Sequence, residues 1–110
     1  MQRSALVIGT GLRNEDGSSR SRVIRRHCRI DSAVVLRRVA MDPLALSSVA
    51  VFLRVPRFLG LLGAQYLQIG FIDAGTVEAI GNLEPMKVTV SAVHAPIEKD
   101  NPRVSLVIER

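Results

Sequence analysis

A period of two in the apolar residues is the feature that most constrains how this 110-residue chain folds. Apolar side chains recur at alternate positions in residues 49–55, 87–93 and 103–110. Successive side chains of a β-strand point to opposite faces, so this period predicts three strands with one buried face each. The predicted inward side chains are Val49, Val51, Leu53, Val55, Val88, Val90, Val104, Leu106 and Ile108.

Residues 4–9, SALVIG, are a further candidate strand. Residues 32–41 fit a strand or a short helix, and their valines favour the strand. No long helix is predicted. We therefore expect an all-β domain of small antiparallel sheets. Aromatic residues make up 4% of the chain and Trp is absent, so the core must consist of Val, Leu, Ile and Ala. Short sheets leave edge strands that must be paired or covered, which favours a homodimer.

The charge of the chain is concentrated in its first third. Residues 1–38 contain nine arginines and three acids, a net charge of +6, whereas residues 39–110 carry −1. Gly, Asn, Asp and Ser cluster in residues 9–22, which is typical of a loop. We therefore divide the chain into a basic, partly flexible arm, residues 1–30, and an all-β dimerisation domain, residues 31–110.

The basic arm has three interpretations: it binds nucleic acid, it contacts an anionic membrane surface, or it is a solvated segment that aids solubility. Residues 18–29, SSRSRVIRRHCR, combine serines with closely spaced arginines that suit RNA phosphates. This segment contains no aromatic side chain that could stack on bases. Any RNA binding by it should therefore be electrostatic and sensitive to salt.

Patterns typical of enzymes and metal sites are incomplete. Gly9 and Gly11 follow a predicted strand, but Asn14 stands where a dinucleotide-binding loop needs its third glycine. His27 and Cys28 have no second pair that would complete a tetrahedral metal site. Cys28 is the only cysteine, which excludes an intrachain disulfide and fits a reducing compartment. We predict a non-enzymatic protein without a metal or cofactor.

Residues 51–72 are the most apolar stretch of the chain. The uncharged part, residues 58–72, is shorter than the roughly twenty residues that a membrane-spanning helix needs. Three glycines weaken a helix here, and a strand would have apolar side chains on both faces. The segment is thus either ordinary core or a surface covered by a partner or a lipid. Candidate partner-binding side chains are Leu59, Leu62, Tyr66 and Ile69.

The carboxyl-terminal quarter, residues 83–110, contains Leu83, Pro85, Val88, Glu98 and Val104. With these positions it resembles the lipid-binding accessory proteins encoded in an internal reading frame of the nucleocapsid gene of SARS-related betacoronaviruses. Two more blocks, residues 30–41 and 51–55, resemble them in the same order. In this register Gly60 stands where those relatives have a regulatory serine. The shared positions are Asp31, Leu36, Met41, Leu53, Arg54, Leu83, Pro85, Val88, Glu98 and Val104.

The resemblance implies a tent-shaped, intertwined all-β homodimer around an apolar tunnel that holds a fatty acyl chain. Residues 31–110 would then be a dimerisation and lipid-binding domain, and the nine inward side chains given above would line its tunnel. It also implies a viral protein in the host cytoplasm, at intracellular or mitochondrial membranes, or in the virion, that counteracts innate immune signalling. In that role residues 58–82 would become helical in the groove of a mitochondrial import receptor. RNA binding through the basic arm is the alternative function.

Overall fold

A computed structural model describes most of the chain as six strands and two short helices. The described residues are 2–39, 49–57, 61–81, 86–95 and 101–109. The elements are β1 (Gln2–Ile8), α1 (Arg20–His27), β2 (Ala33–Arg38), β3 (Val49–Pro56), β4 (Ala64–Ile72), α2 (Ala74–Ile80), β5 (Lys87–His94) and β6 (Arg103–Glu109). The predicted all-β class and the five predicted strands are confirmed, while β4 and both helices are additions.

The six strands form one closed antiparallel barrel in the order β1-β4-β3-β2-β5-β6. Closure depends on two short contacts. Strand β1 pairs with β4 through Val7 and Ile8 alone, and β2 pairs with β5 through Ala33 and Val34. Every strand therefore has two neighbours within one chain. The unpaired edges from which we expected a homodimer are absent from the described strands, because the sheet closes on itself.

The barrel interior is a core of aliphatic side chains. On β3 the predicted inward side chains Val49, Val51 and Leu53 are fully buried, and the small Ala50 between them is buried as well. Strands β5 and β6 contribute their alternate residues to the same cluster. Gly70 of β4 pairs with Val51, while Gln68 pairs with Phe52. Ile69 is thus the extra residue of a β-bulge, and it too is fully buried.

Residues 2–30 differ from the flexible arm that we expected, because they are part of the barrel. Strand β1 pairs with both β4 and β6, and Ile24 and Cys28 of the α1 region are in the core. The Ser19 side chain caps α1 by accepting a hydrogen bond from the Arg22 amide (3.3 Å). The serines and arginines of this segment thus belong to an amphipathic helix, whose pattern is hidden by its short length.

The loop before α1 is also held by specific hydrogen bonds. Asp16 Oδ1 accepts from both the amide (2.9 Å) and the hydroxyl (2.6 Å) of Ser18, and these bonds lower the pKa of the Asp16 carboxyl. The Thr10 hydroxyl donates to the carbonyl oxygen of Pro102 (2.6 Å), and the Ser21 hydroxyl donates to that of Thr10 (3.1 Å). These contacts join the end of β1, helix α1 and the start of β6.

The segment that fitted neither secondary structure, residues 58–82, contains β4 and then α2. Asp73 begins α2 by accepting hydrogen bonds from the amide (3.1 Å) and hydroxyl (2.6 Å) of Thr76. Gly81 ends the helix with a φ of 74°. Arg38 Nη2 donates to the Gly81 carbonyl oxygen (2.7 Å), which connects the end of β2 to α2.

Candidate nucleic-acid interface

The aromatic side chains of the described residues lie outside the barrel core. Leu53, Leu67 and Val51 of β3 and β4 contribute to the interior, so the alternate residues on these strands point outward. The outward set includes Phe52 and Tyr66. Phe71, which follows the bulge, pairs with Ala50 and Ile8 on the same outer side. Aromatic rings usually dominate cores, so their placement on one outer face is a feature that needs an explanation.

Arginines stand beside these rings. The Arg37 guanidinium of β2 lies over the Phe52 ring, 5.2 Å from its centroid. Arg54 of β3 is directly opposite Tyr66 of β4, and both side chains are exposed. Phe52 and Tyr66 are diagonal neighbours across the two strands, which places them about 7 Å apart. We call the outward side chains of β2, β3 and β4 the Arg/aromatic face.

The third ring, Phe71, is covered by Arg20 of α1. The Arg20 guanidinium lies 5.0 Å from the ring centroid, and both residues are buried. Arg20 Nε donates to Asn14 Oδ1 (2.7 Å) and its Nη1 donates to the Gly9 carbonyl oxygen (3.1 Å). Burial lowers the pKa of Arg20 from its ordinary value, although a guanidinium stays charged at neutral pH. This pair is a structural contact that fixes α1 to the barrel.

Helix α1 extends the basic surface along the β4 side of the face. The helix packs against β4, and the Asn14 side-chain amide before it donates to the Gln68 carbonyl oxygen (3.0 Å). Arg22 and Arg26, one turn apart, are exposed on the side of the helix opposite Ile24. The Arg/aromatic face therefore has a row of cations at its edge.

The charged side chains are distributed unevenly around the barrel. The sequences of β2, β3 and β4 contain three arginines, Arg37, Arg38 and Arg54, and no Asp or Glu. Of these arginines, Arg37 and Arg54 are at outward positions. The diametrically opposite strand, β6, has Arg103 and Glu109, and the neighbouring Lys87 of β5 pairs with that Glu109. Among the strand residues that the structure describes, a polyanion would therefore meet arginines without acidic neighbours on β2, β3 and β4.

The nine candidate lipid-lining side chains are brought together by the fold. All nine lie in the barrel interior, where each is at least nine-tenths buried and belongs to one apolar cluster. They contact one another within a single chain. In this arrangement they form the hydrophobic core, and the outward residues between them form the surface.

The four candidate partner-binding residues are separated by the fold. Ile69 is fully buried in the bulge of β4, whereas Tyr66 is 45% exposed on the Arg/aromatic face. Leu62 is 64% exposed in the turn between β3 and β4. Leu59 lies outside the described residues. The helical face that would have joined these residues does not form, because residues 64–72 are a strand.

Cys28 and His27, the adjacent pair considered for a reactive or metal site, differ in their surroundings. Cys28 is buried, and burial raises the pKa of its thiol to about 11, while the adjacent His27 is exposed. Across the described ranges, no three His, Cys, Asp or Glu side chains are arranged to hold a metal ion. Of the helices that the structure describes, none is long and apolar enough to span a membrane.

The Arg/aromatic face was not predicted from the sequence, although one signal pointed to it. Phe52 and Arg54 occupy the outward positions of a strand whose inward positions were assigned correctly. An aromatic residue and an arginine at successive outward positions indicate a surface that binds something. The contribution of Tyr66 was hidden because β4 was not recognised as a strand.

Comparisons with protein-family models, curated proteins and solved structures find no match to this chain. The resemblance to the betacoronavirus accessory proteins therefore stays a prediction.

Proposed function

We propose that this protein binds single-stranded nucleic acid on the Arg/aromatic face. The observation that carries the proposal is the placement of Phe52 and Tyr66 outside an aliphatic core, next to Arg37 and Arg54. Bases stack on aromatic rings with little dependence on sequence, and guanidinium groups bind phosphates and also stack on bases. The same face thus offers both kinds of contact that a single strand requires.

The arrangement favours single strands over duplexes. A base can stack on Phe52 or Tyr66 only if its own face is free, which requires that it leave a base-paired stack. The two rings are far enough apart to receive neighbouring bases. Arg22 and Arg26 on α1 supply positive charge along the side of this path, where the backbone phosphates would lie.

Fluorescence anisotropy with labelled oligothymidine and oligouridine of about 12 nucleotides tests the proposal. The substitution Phe52→Leu together with Tyr66→Leu removes both rings and leaves the charge unchanged. Loss of one stacking contact weakens binding about 5- to 150-fold, so the double variant should bind at least tenfold more weakly. The DNA and RNA oligonucleotides show whether the 2′-hydroxyl contributes.

Arg54→Gln and Arg103→Gln form a matched pair of charge variants. Both arginines are exposed and outward, but they are on β3 and β6, which face opposite sides of the barrel. Of the two variants, only Arg54→Gln should substantially lower the affinity for the oligonucleotides. Equal losses would indicate unspecific attraction to a basic protein, and no effect of the ring variants would refute the proposal.

Lipid binding by a homodimeric viral accessory protein is the second proposal. The supporting observation is that all nine candidate side chains lie on one continuous apolar surface inside the barrel. An acyl chain there would have to displace the contacts among them, for example by opening the short β1–β4 closure. Native mass spectrometry of the purified protein tests this proposal: a dimer with a co-purified lipid supports it, and a lipid-free monomer contradicts it.

A further inference from the structure

The turn between β3 and β4 presents two consecutive leucines to solvent. Leu61 is 87% exposed and Leu62 is 64% exposed, which are the highest exposures among the large apolar side chains that the structure describes, together with Ile30. The turn is closed by hydrogen bonds from the Arg57 amide to the Gly63 carbonyl oxygen (2.9 Å) and from the Leu62 amide to that of Arg57 (3.3 Å). Leu61 and Leu62 thus lie at the end of the β3–β4 hairpin, and we call these two residues its tip.

The tip continues the Arg/aromatic face in one direction. Pro56 and Ala64 are the last paired residues of the hairpin, and Arg54 and Tyr66 are the next outward pair. A single strand of nucleic acid that passes over Phe52 and then Tyr66 would next contact the two leucines. The whole segment from residue 51 to residue 72 contains no Asp or Glu, so nothing in it repels a phosphate backbone.

We propose that Leu61 and Leu62 pack on the terminal base pair of a duplex, so that the protein prefers junctions between single-stranded and double-stranded nucleic acid. The inference rests on the proposed function. Leucine is one of the apolar side chains that proteins insert against base steps, because an exposed base-pair face is itself apolar and broad. Arg57, exposed at the start of the turn, is placed to contact the phosphates of the duplex end.

Competition binding separates this inference from the proposed function. The probes are oligothymidine of about 12 nucleotides, a blunt DNA hairpin, and the same hairpin with a 5′ or a 3′ oligothymidine tail of that length. The wild-type protein should bind at least one tailed hairpin about tenfold more tightly than the single strand. The variant Leu61→Ser/Leu62→Ser should bind the tailed hairpin and the single strand with equal affinity, and its affinity for the single strand should equal that of the wild type.

Leu12→Ser is the control, because Leu12 is also exposed (47%) but lies in the loop after β1. It should keep the junction preference. The inference is overturned if the wild type binds tailed hairpins and single strands equally, or if the double-serine variant keeps the preference. Loss of binding to anionic phospholipid vesicles in that variant, with junction binding unchanged, would likewise overturn it and assign the tip to a lipid surface. If the wild type binds no single strand at all, the proposed function fails as well.

Discussion

At the scale of single residues, Gly70 determines how closely β4 approaches β1. A Cβ atom at this position would lie 2.6 Å from Val7 Cγ1 and would also collide with the carbonyl oxygen of Ile8. The contact lies where the barrel closes through only two residue pairs. The backbone oxygen cannot move without disturbing that closure, so the site has little room to relax.

Gly70→Ala should therefore destabilise the protein by about 2–3 kcal/mol, measured as the free energy of unfolding in urea. Gly63→Ala is the control. Gly63 also has a positive φ, 76°, but a Cβ atom there meets nothing within 4 Å. This control should cost about 1 kcal/mol from backbone strain alone. Equal costs for the two variants would show that the close approach at Gly70 is unimportant.

The buried Cys28 thiol predicts a loss of stability at alkaline pH. Burial raises its pKa from 9.0 to about 11 in the folded protein. Below pH 9 the thiol is protonated in both states. Between pH 9 and about 11 the unfolded chain loses the proton while the folded protein retains it, so the free energy of unfolding falls.

We expect this thiol to account for about 1–2 kcal/mol of the decrease, as measured by urea unfolding across that pH range. Cys28→Ala removes the titrating group and should flatten the dependence of the free energy of unfolding on pH, even if the variant is less stable at neutral pH. An unchanged slope in the variant would mean that other groups cause the alkaline loss.

At the scale of elements, helix α1 carries the electrostatic part of the proposed binding. Arg22 and Arg26 project from the helix side opposite its buried face, so their replacement should leave the fold intact. Each phosphate contact contributes about 0.7 to the slope of log affinity against log salt for a single strand.

Arg22→Gln/Arg26→Gln should reduce that slope by about 1.4, measured by anisotropy between about 50 and about 200 mM salt. Phe52→Leu/Tyr66→Leu should lower affinity at every salt concentration with little change in slope, because stacking releases no counterions. A helix variant with the wild-type slope would show that α1 does not contact phosphates.

The elements also show where sequence reasoning succeeds and fails. Strand β3 was predictable because its inward face is purely aliphatic and its period is unbroken over several residues. Strand β4 was not, because the bulge at Ile69 shifts the period in mid-strand and places apolar residues on both faces. Helix α1 was missed because its buried face includes Arg20 and Ser21, which are polar.

At the scale of the whole molecule, closure of the barrel could not be predicted from the sequence. Alternation predicts which face of each strand is buried, but it does not say which strands are neighbours. Here the first strand reaches across to β4 and β6, and this long-range pairing depends on the bulge and on Gly70. The core residues were therefore predictable, whereas the outward residues that share the Arg/aromatic face were not.

The central claim is that a single strand stacks on the Arg/aromatic face, and intrinsic fluorescence tests it directly. Tyr66 is the only tyrosine and the chain has no Trp, so tyrosine emission reports on this face alone. Titration with oligothymidine, corrected for absorption with free N-acetyltyrosinamide, should quench the emission with a midpoint equal to the affinity from anisotropy. Binding by anisotropy with unchanged Tyr66 emission would contradict the account, because the ligand would then bind elsewhere on the barrel.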